Sequence, residues 1–522
     1  MAELKNNIPD IPKEKFAFAS AGTRIHDQKF ETKPVGYFRD AFRRFSKNKG
    51  SVVAAIVILI LILFSLVGTL FVNQTYSDSY ATDIHVKRYQ NLLPKLDIFE
   101  GTGFWDGSQV GSYSRSGYYR LKGVAIETGY DPIVKEISSV QYINEMGTVS
   151  YNYKLRVNTY YTIRPFTLTL TAEDYKELQA WQDEHEIQLI LPYVNSENPA
   201  VKIGGLSEVW FVSDAAGNPT LDENGELIPD YVTSGTDGYT SKMRIANDPY
   251  LQGNQAGRWR YAQRTGTPGA YNYVVRVSAY NYFIYKYGAA PSFVFGTDAS
   301  GYDIISRLAS GARFSFLLAI FVSAINLSIG AFYGAIEGYY GGAADMIMER
   351  ISDILAGVPF MVVTVLFKLH LAGKIGMVPS LLFAFVATGW IGMASRVRMQ
   401  FYRFKNQEYV LAARTLGARD FRVMFKHIFP NSLGTIITGS ILVIPGVIFS
   451  ETSLSYLGII DLNSTSMTSI GAMLSNGQAS MTKFPHIVMF PALFIALLMI
   501  SFNLFGNGLR DAFNPSLRGS EG

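Results

Sequence analysis

No cysteine occurs among the 522 residues, so disulfides, thiolate metal sites and a cysteine nucleophile are all excluded. Histidine is scarce too. The six, among them His370, His427 and His486, are scattered rather than set at metal-ligand spacing. The G-x-x-x-x-G-K-[ST] phosphate loop is missing, as are H-E-x-x-H and G-x-S-x-G. These absences argue against an enzyme, and against ATP hydrolysis by this chain in particular. Charge is sparse at 17% of residues, against 48% hydrophobic residues and a mean hydropathy of +0.13. That mixture fits apolar spans interleaved with a polar domain.

The first apolar run, Val52–Val72, is uncharged and long enough at about 31 Å to cross a bilayer as a helix. About fifty polar residues precede it, so it reads as an anchor and not as a secretory signal. Further spans are expected near Phe314–Ile336, Ile351–Leu371, Val378–Ser395, Ile436–Phe449 and Ile487–Phe505. Six spans place both termini on one side. The first 51 residues hold eleven Lys or Arg, and Arg396–Asn431 holds eight against only Glu408 and Asp420. By the positive-inside rule both segments are cytoplasmic, which leaves the long segment Asn73–Ala312 outside.

That segment is net acidic, with 20 Lys or Arg and 26 Asp or Glu, and carries 25 of the 32 tyrosines and four of the five tryptophans. So many large side chains predict a folded domain rather than a linker. Phe166–Leu170 alternates like a half-buried strand, and Thr171 with Asp174 reads as the capping box of a helix running to about Asp183. An apolar strand Ile187–Leu191 follows, and the expected class is mixed α+β. Residues 151–160, YNYKLRVNTY, match 271–280, YNYVVRVSAY, at six of ten positions. A duplicated subdomain explains this, and so do two strands in similar surroundings. The tyrosines suit either stacking on an extended ligand or packing of sheet faces.

The stretch Glu408–Asn431, EYVLAARTLGARDFRVMFKHIFPN, lies between two apolar runs. Glu408, Ala412 and Leu416 share one helical face at i, i+4, i+8, and Ala412 and Ala413 offer small surfaces. Gly417 is placed to end the helix in a left-handed conformation. A helix of about nine residues is only ~14 Å long, too short to span and suited to seating in a cleft. Arg419, Arg422 and Lys426 make a basic stripe, and Pro430 is expected to close the segment. Without further context, an ordinary amphipathic cytoplasmic loop accounts for the pattern equally well.

This stretch resembles the cytoplasmic coupling loop of ABC importer permeases. The likeness is widest with the oligopeptide/dipeptide type. Phe295-Gly296-Thr297-Asp298, Asp303, Arg307 and Gly311-Ala312-Arg313-Phe314-Ser315 resemble the approach to the second span of those permeases. Gly338–Gly342 with Asp345, Arg350 and Asp353 resembles their first inner loop, and Glu451–Gly458 (ETSLSYLG) an outer loop. Gly508–Pro515 and Phe38–Phe45 match their two cytoplasmic ends. Three features depart from the pattern: Tyr302 stands where arginine is usual, Asp461–Gly471 lacks a proline-rich stretch, and the insertion after the first span is large.

The resemblance implies an α-helical membrane protein with six transmembrane helices of the type I ABC importer kind, carrying an inserted extracytoplasmic α+β domain. Its parts are residues 1–51, a first span 52–72, the inserted domain 73–294 and a five-helix core 295–522 with coupling loop 396–433. It implies a permease of a bacterial plasma membrane, lying in the lipid bilayer with cytoplasmic termini and importing oligopeptides or dipeptides. The expected partners are a second permease subunit, two ABC ATPases that bind ATP and Mg, and an extracytoplasmic substrate-binding lipoprotein. No cofactor, metal or nucleic acid is expected on this chain itself. The ATPase-coupling residues implied are Glu408, Ala412, Ala413, Gly417, Pro430 and Asn431. Asn326 and Glu451, polar within spans, are candidates either for the substrate pathway or for helix–helix hydrogen bonding. Nickel chelates are an alternative cargo, and a membrane-anchored sensor an alternative class.

Overall fold

The computed structural model describes residues 37–70, 86–143, 149–199, 201, 210–232, 259–267, 270–462 and 468–513. Helix α1 (Tyr37–Lys47) lies against the last helix, burying Ala41 and Phe45. Asn48 then caps α2 (Lys49–Val67), its Oδ1 accepting from the Ser51 amide at 3.2 Å. The first span therefore begins three residues before the expected Val52 and its helix ends at Val67. Residues 71–72 of the expected run lie outside those described.

The inserted domain follows in the order β1 (Ser108–Ser114), α3 (Arg115–Thr128), β2 (Ile133–Ile143), β3 (Val149–Asn158), β4 (Phe166–Thr171), α4 (Ala172–His185), β5 (Ile190–Leu191), β6 (Ala262–Thr267), β7 (Ala270–Val277) and α5 (Ala279–Tyr287). Two antiparallel sheets result. One has the order β1-β3-β2; in the other, β7 lies between β4 on one side and β5 and β6 on the other.

The two halves repeat one plan. The ten-residue self-similarity covers the central strand of each sheet. Asn152 pairs with Ser114, the N-cap of the 14-residue α3, and Asn272 pairs with Thr171, the N-cap of the 14-residue α4. On the other edge Ile133 pairs with Val157 as Ile190 pairs with Val277. Strands β5 and β6 thus stand together where β2 stands alone, the edge strand being interrupted by residues 192–261. Two similar strands in similar surroundings would not share caps, helix length and pairing register. The domain is a duplicated β-α-β-β unit.

The copies are joined by a buried ion pair. Arg276 of β7 meets Glu127 of α3 through two hydrogen bonds, and the Tyr231 hydroxyl donates to the same carboxylate at 3.1 Å. The tyrosines mostly pack, as in the Tyr118–Tyr153 stack at 4.4 Å and the Tyr175–Tyr273 stack at 4.8 Å.

The base of this domain is stitched to the membrane-facing core at Phe295–Asp298. The Thr297 amide donates to Leu92 O and its hydroxyl accepts from the Leu92 amide, while Phe295 stacks on Phe490 at 4.1 Å. Tyr302 occupies this joint, packed beside a cluster of Tyr89, Tyr280 and Phe293 with Arg307 over its ring at 4.1 Å. A tyrosine in place of the usual arginine is therefore a packing residue between domain and span.

The core comprises α6 (Ile304–Tyr340), α7 (Gly342–Ala356), α8 (Phe360–Ile375), α9 (Met377–Gly389), α10 (Ile391–Phe404), α11 (Glu408–Thr415), α12 (Asp420–Arg422), α13 (Phe429–Ile441), α14 (Val443–Tyr456), α15 (Ile470–Gly477) and α16 (His486–Phe513). Among the described residues, five helical runs, α2 included, are long and apolar enough to cross a membrane; α7 and α8, bent by 74° at Gly357–Pro359, make a sixth if taken as one span. The residue before a proline resists helical backbone, which places the break. Four runs exceed their expected limits: Ile304–Tyr340, Met377–Phe404, Asp420–Tyr456 through Pro430, and His486–Phe513.

Candidate coupling face and mid-span cavity

Pro430 does not close the loop. A π-helical stretch, Val423–Ile428, precedes it, and Pro430 sits in the first turn of α13. The π-helical stretch, in which the Phe429 amide reaches back to Met424 O, shifts the backbone bonding just ahead of the proline and so accommodates its missing N–H. Asn431 Nδ2 donates to His427 O at 2.8 Å, supplying a donor next to the proline. Loop and following span are thus one continuous helical run, capable of moving together.

Helix α11 projects from that run. Val410 is fully buried in a cluster with Phe401, Val423, Met424 and Ile428. Ala413, three residues on, turns to the same inner side, so it is not on the outer surface with Ala412 as expected. Exposed instead are Glu408, Ala412 and Leu416, the last at 87%. Gly417 ends the helix at φ +81°, where its amide reaches Arg414 O at 2.9 Å. The result is a short helix with an apolar underside anchored to the spans and a solvated outer face tipped by a leucine.

Behind α11, side chains tie it to α6. The Tyr339 hydroxyl donates to Asp420 at 2.6 Å and Arg414 lies over the Tyr339 ring at 4.9 Å. Lys405 Nζ donates to Gly338 O at 3.0 Å. One turn deeper, Arg398 of α10 binds Asp345 at 2.6 and 2.9 Å and Glu349 at 2.7 and 3.0 Å, with Glu337 3.6 Å away. Three carboxylates from two helices therefore converge on one guanidinium, whose planar fork suits such multidentate pairing.

A cavity of about 340 Å³ opens among α6, α8, α9 and α14. Asn326, Thr388 and Ser450 are its polar side chains, and Phe360, Phe385, Val443 and Val447 its apolar ones. Glu451 is next in chain to Ser450 but is fully buried elsewhere, accepting from Ser315 at 3.1 Å and Ser455 at 2.9 Å. The structure thus places Asn326 at a cavity and Glu451 in a helix–helix contact.

Residues 328–519 match the family described as binding-protein-dependent transport system inner membrane component, and 36–94 the N-terminal transmembrane domain of oligopeptide transport permease C. The oligopeptide transport system permease protein OppC of Bacillus subtilis is 43% identical over 224 residues, 43% of this chain and 72% of its own. The dipeptide transport system permease protein DppC of the same organism is 40% identical over 43% of this chain and 69% of its own. This chain belongs to the oligopeptide/dipeptide permease family. It is an ABC importer permease subunit. The OppC of Haemophilus influenzae, 42% identical over 43% of this chain and 70% of its own, adds to the same grouping. A solved amino acid ABC transporter overlays 38% of this chain and 91% of its own at 14% identity with a TM-score of 0.30, too loose to argue from.

Two features of this permease escaped the sequence reading. Gly330, Gly334 and Gly338 recur every four residues on α6 and face α10; a Cβ on Gly330 would lie 2.7 Å from Trp390 O, and one on Gly338 2.7 Å from Arg398 O. The G-x-x-x-G-x-x-x-G spacing was the available signal. The Arg398 hub had none, because its partners are 49 to 61 residues away in the chain.

Proposed function

We propose that this permease forms half of the pore of an ATP-driven importer for short peptides, with α11 as the knob that seats in a cytoplasmic ATPase. The basic segments Arg39–Lys49 and Arg396–Asn431 support a cytoplasmic side for α1 and for the α11 loop, with the duplicated domain outside. The observation that carries the coupling role is the exposed Ala412–Leu416 face of α11 over a buried underside continuous with a span. Closure of two ATP- and Mg-loaded ATPases pushes α11; the π-helical run and the Tyr339–Asp420 contact pass that displacement to α13 and α6. Nucleotide at one end and a loaded binding protein at the other then bias a two-state bundle. The chain itself supplies no hydrolytic chemistry and needs no cofactor in this account. In this reading the duplicated domain either docks the binding protein or shields the pore mouth. Peptide cargo rests on the named cargo of the relatives.

Proteoliposomes holding this chain, its partner permease, the ATPases and the binding protein test the reading directly. ATP-dependent uptake of a labelled peptide, with none of a nickel chelate, is expected. Chelate uptake without peptide uptake would replace the cargo, and ATP-independent uptake would remove the importer assignment.

A further inference from the structure

We infer that the cavity around Asn326 is a transit site that reads the backbone amide of a peptide in passage through the span region; this rests on the peptide-import reading above. Asn326 lies about 6 Å past the midpoint of α6, well inside the helix. It is 97% buried, its relative exposure being 3%, yet among the described residues its Oδ1 has no hydrogen-bond partner. A buried amide oxygen left unpaired away from water is costly, so such a group beside a cavity is suited to a bound partner there. Gly389 keeps the amide clear, since a Cβ there would press on the Asn326 side chain. At Gly446, also on the cavity wall, a Cβ would meet nothing within 4 Å, so that wall is bare backbone.

The chemistry of the lining selects the ligand class. None of the nine lining residues is titratable, so the site has no charge with which to hold a chelate or a terminal ammonium or carboxylate. Asparagine offers one acceptor and two donors, the complement of a peptide N–H and C=O. Thr388 and Ser450 add hydroxyls that donate or accept as the chain requires. Every peptide unit presents the same two groups whatever its side chain, and they need partners wherever water is excluded. The remaining lining, with Phe360 and Phe385 rings 4.9 Å apart, is apolar and accommodates side chains without demanding a particular one. At about 340 Å³ the cavity is at the small end of the ~300–1,000 Å³ typical of ligand sites, room for a short extended stretch of chain. The site therefore lowers the barrier to moving amides through an apolar bundle while remaining indifferent to sequence.

The test uses the complete reconstituted complex with two cargoes, a peptide and its depsipeptide analogue in which one central N–H is replaced by an ester oxygen. The wild type is expected to import the amide faster than the ester. Asn326→Leu, which keeps volume and removes the amide, is expected to cut peptide import roughly five- to tenfold and to erase the amide–ester difference. Stimulation of the ATPases by the loaded binding protein should persist, which separates a transit defect from lost coupling. Thr388→Val is the second variant should Asn326→Leu fail to assemble, and a smaller loss in the same direction is expected. Unchanged import with an unchanged amide–ester ratio in the variants overturns the transit site while leaving peptide import intact. A wild type that imports neither cargo overturns both readings.

Discussion

Asp303 caps α6 by accepting from the Ser306 amide at 2.9 Å, and burial lifts its carboxyl to about 6. Its folded value lies above the unfolded one of 3.8, so its contribution to stability is complete below that value and fades as pH rises through about 6. Asp303→Asn retains a capping oxygen and does not titrate. The variant's thermal midpoint minus the wild type's should therefore rise between pH 4.5 and 7; a difference that falls or stays constant over this range would contradict the assignment. Arg276 illustrates a different residue-level dependence. It is 1% exposed and holds Glu127 in the seam between the two copies. Removing it as Arg276→Met leaves a buried carboxylate, a loss of about 3–5 kcal/mol, whereas Glu127→Leu combined with Arg276→Met should recover most of it. Thermal unfolding of the full chain in detergent reads both, and a double variant no better than the single would argue against the seam as the cause.

At the scale of elements, the α6–α10 crossing depends on three glycines in register. A Cβ at Gly334 would lie 3.0 Å from Ala394 Cα and nearer still to its carbonyl oxygen, with rigid backbone on both sides. Gly334→Ala should destabilise by about 1–3 kcal/mol through overpacking, while Gly392→Ala, where a Cβ meets nothing within 4 Å, should be silent. Equal effects would dissolve the close-packing account. Elements of this kind also mark what was legible beforehand. The spans, the capping box at Thr171 and Asp174 and the left-handed end at Gly417 follow from local pattern, and the structure has them except that the expected Ile351–Leu371 is broken by a 74° bend at Gly357–Pro359. Pro430 misled because the π-helical stretch that accommodates it is no local signal of composition. Ala413 misled because small size says nothing of which way a side chain turns; its three-residue offset from Val410 does. The duplication was visible as ten residues but became decidable only through caps and registers separated by more than a hundred positions. Asn326 was legible as a polar residue in a span, but the cavity beside it draws residues from four separate helices.

For the whole molecule, the Arg398 hub, the Tyr339–Asp420 contact and the α13 run join α11 to the spans, and Phe295–Asp298 joins the spans to the duplicated domain. A displacement at α11 thus has a continuous packed route to the opposite end. The central claim is that α11 is the point where the ATPases engage. The most direct measurement is transport and ATPase co-purification for Ala412→Arg and Leu416→Asp, both on the exposed face, against Lys176→Ala, exposed on α4 of the inserted domain, as a control. The account predicts that each α11 variant inserts normally, loses its ATPases or its stimulated hydrolysis, and imports at least about tenfold less, a change of 1.4 kcal/mol or more. Variants that retain their ATPases and import at the control's rate would contradict it.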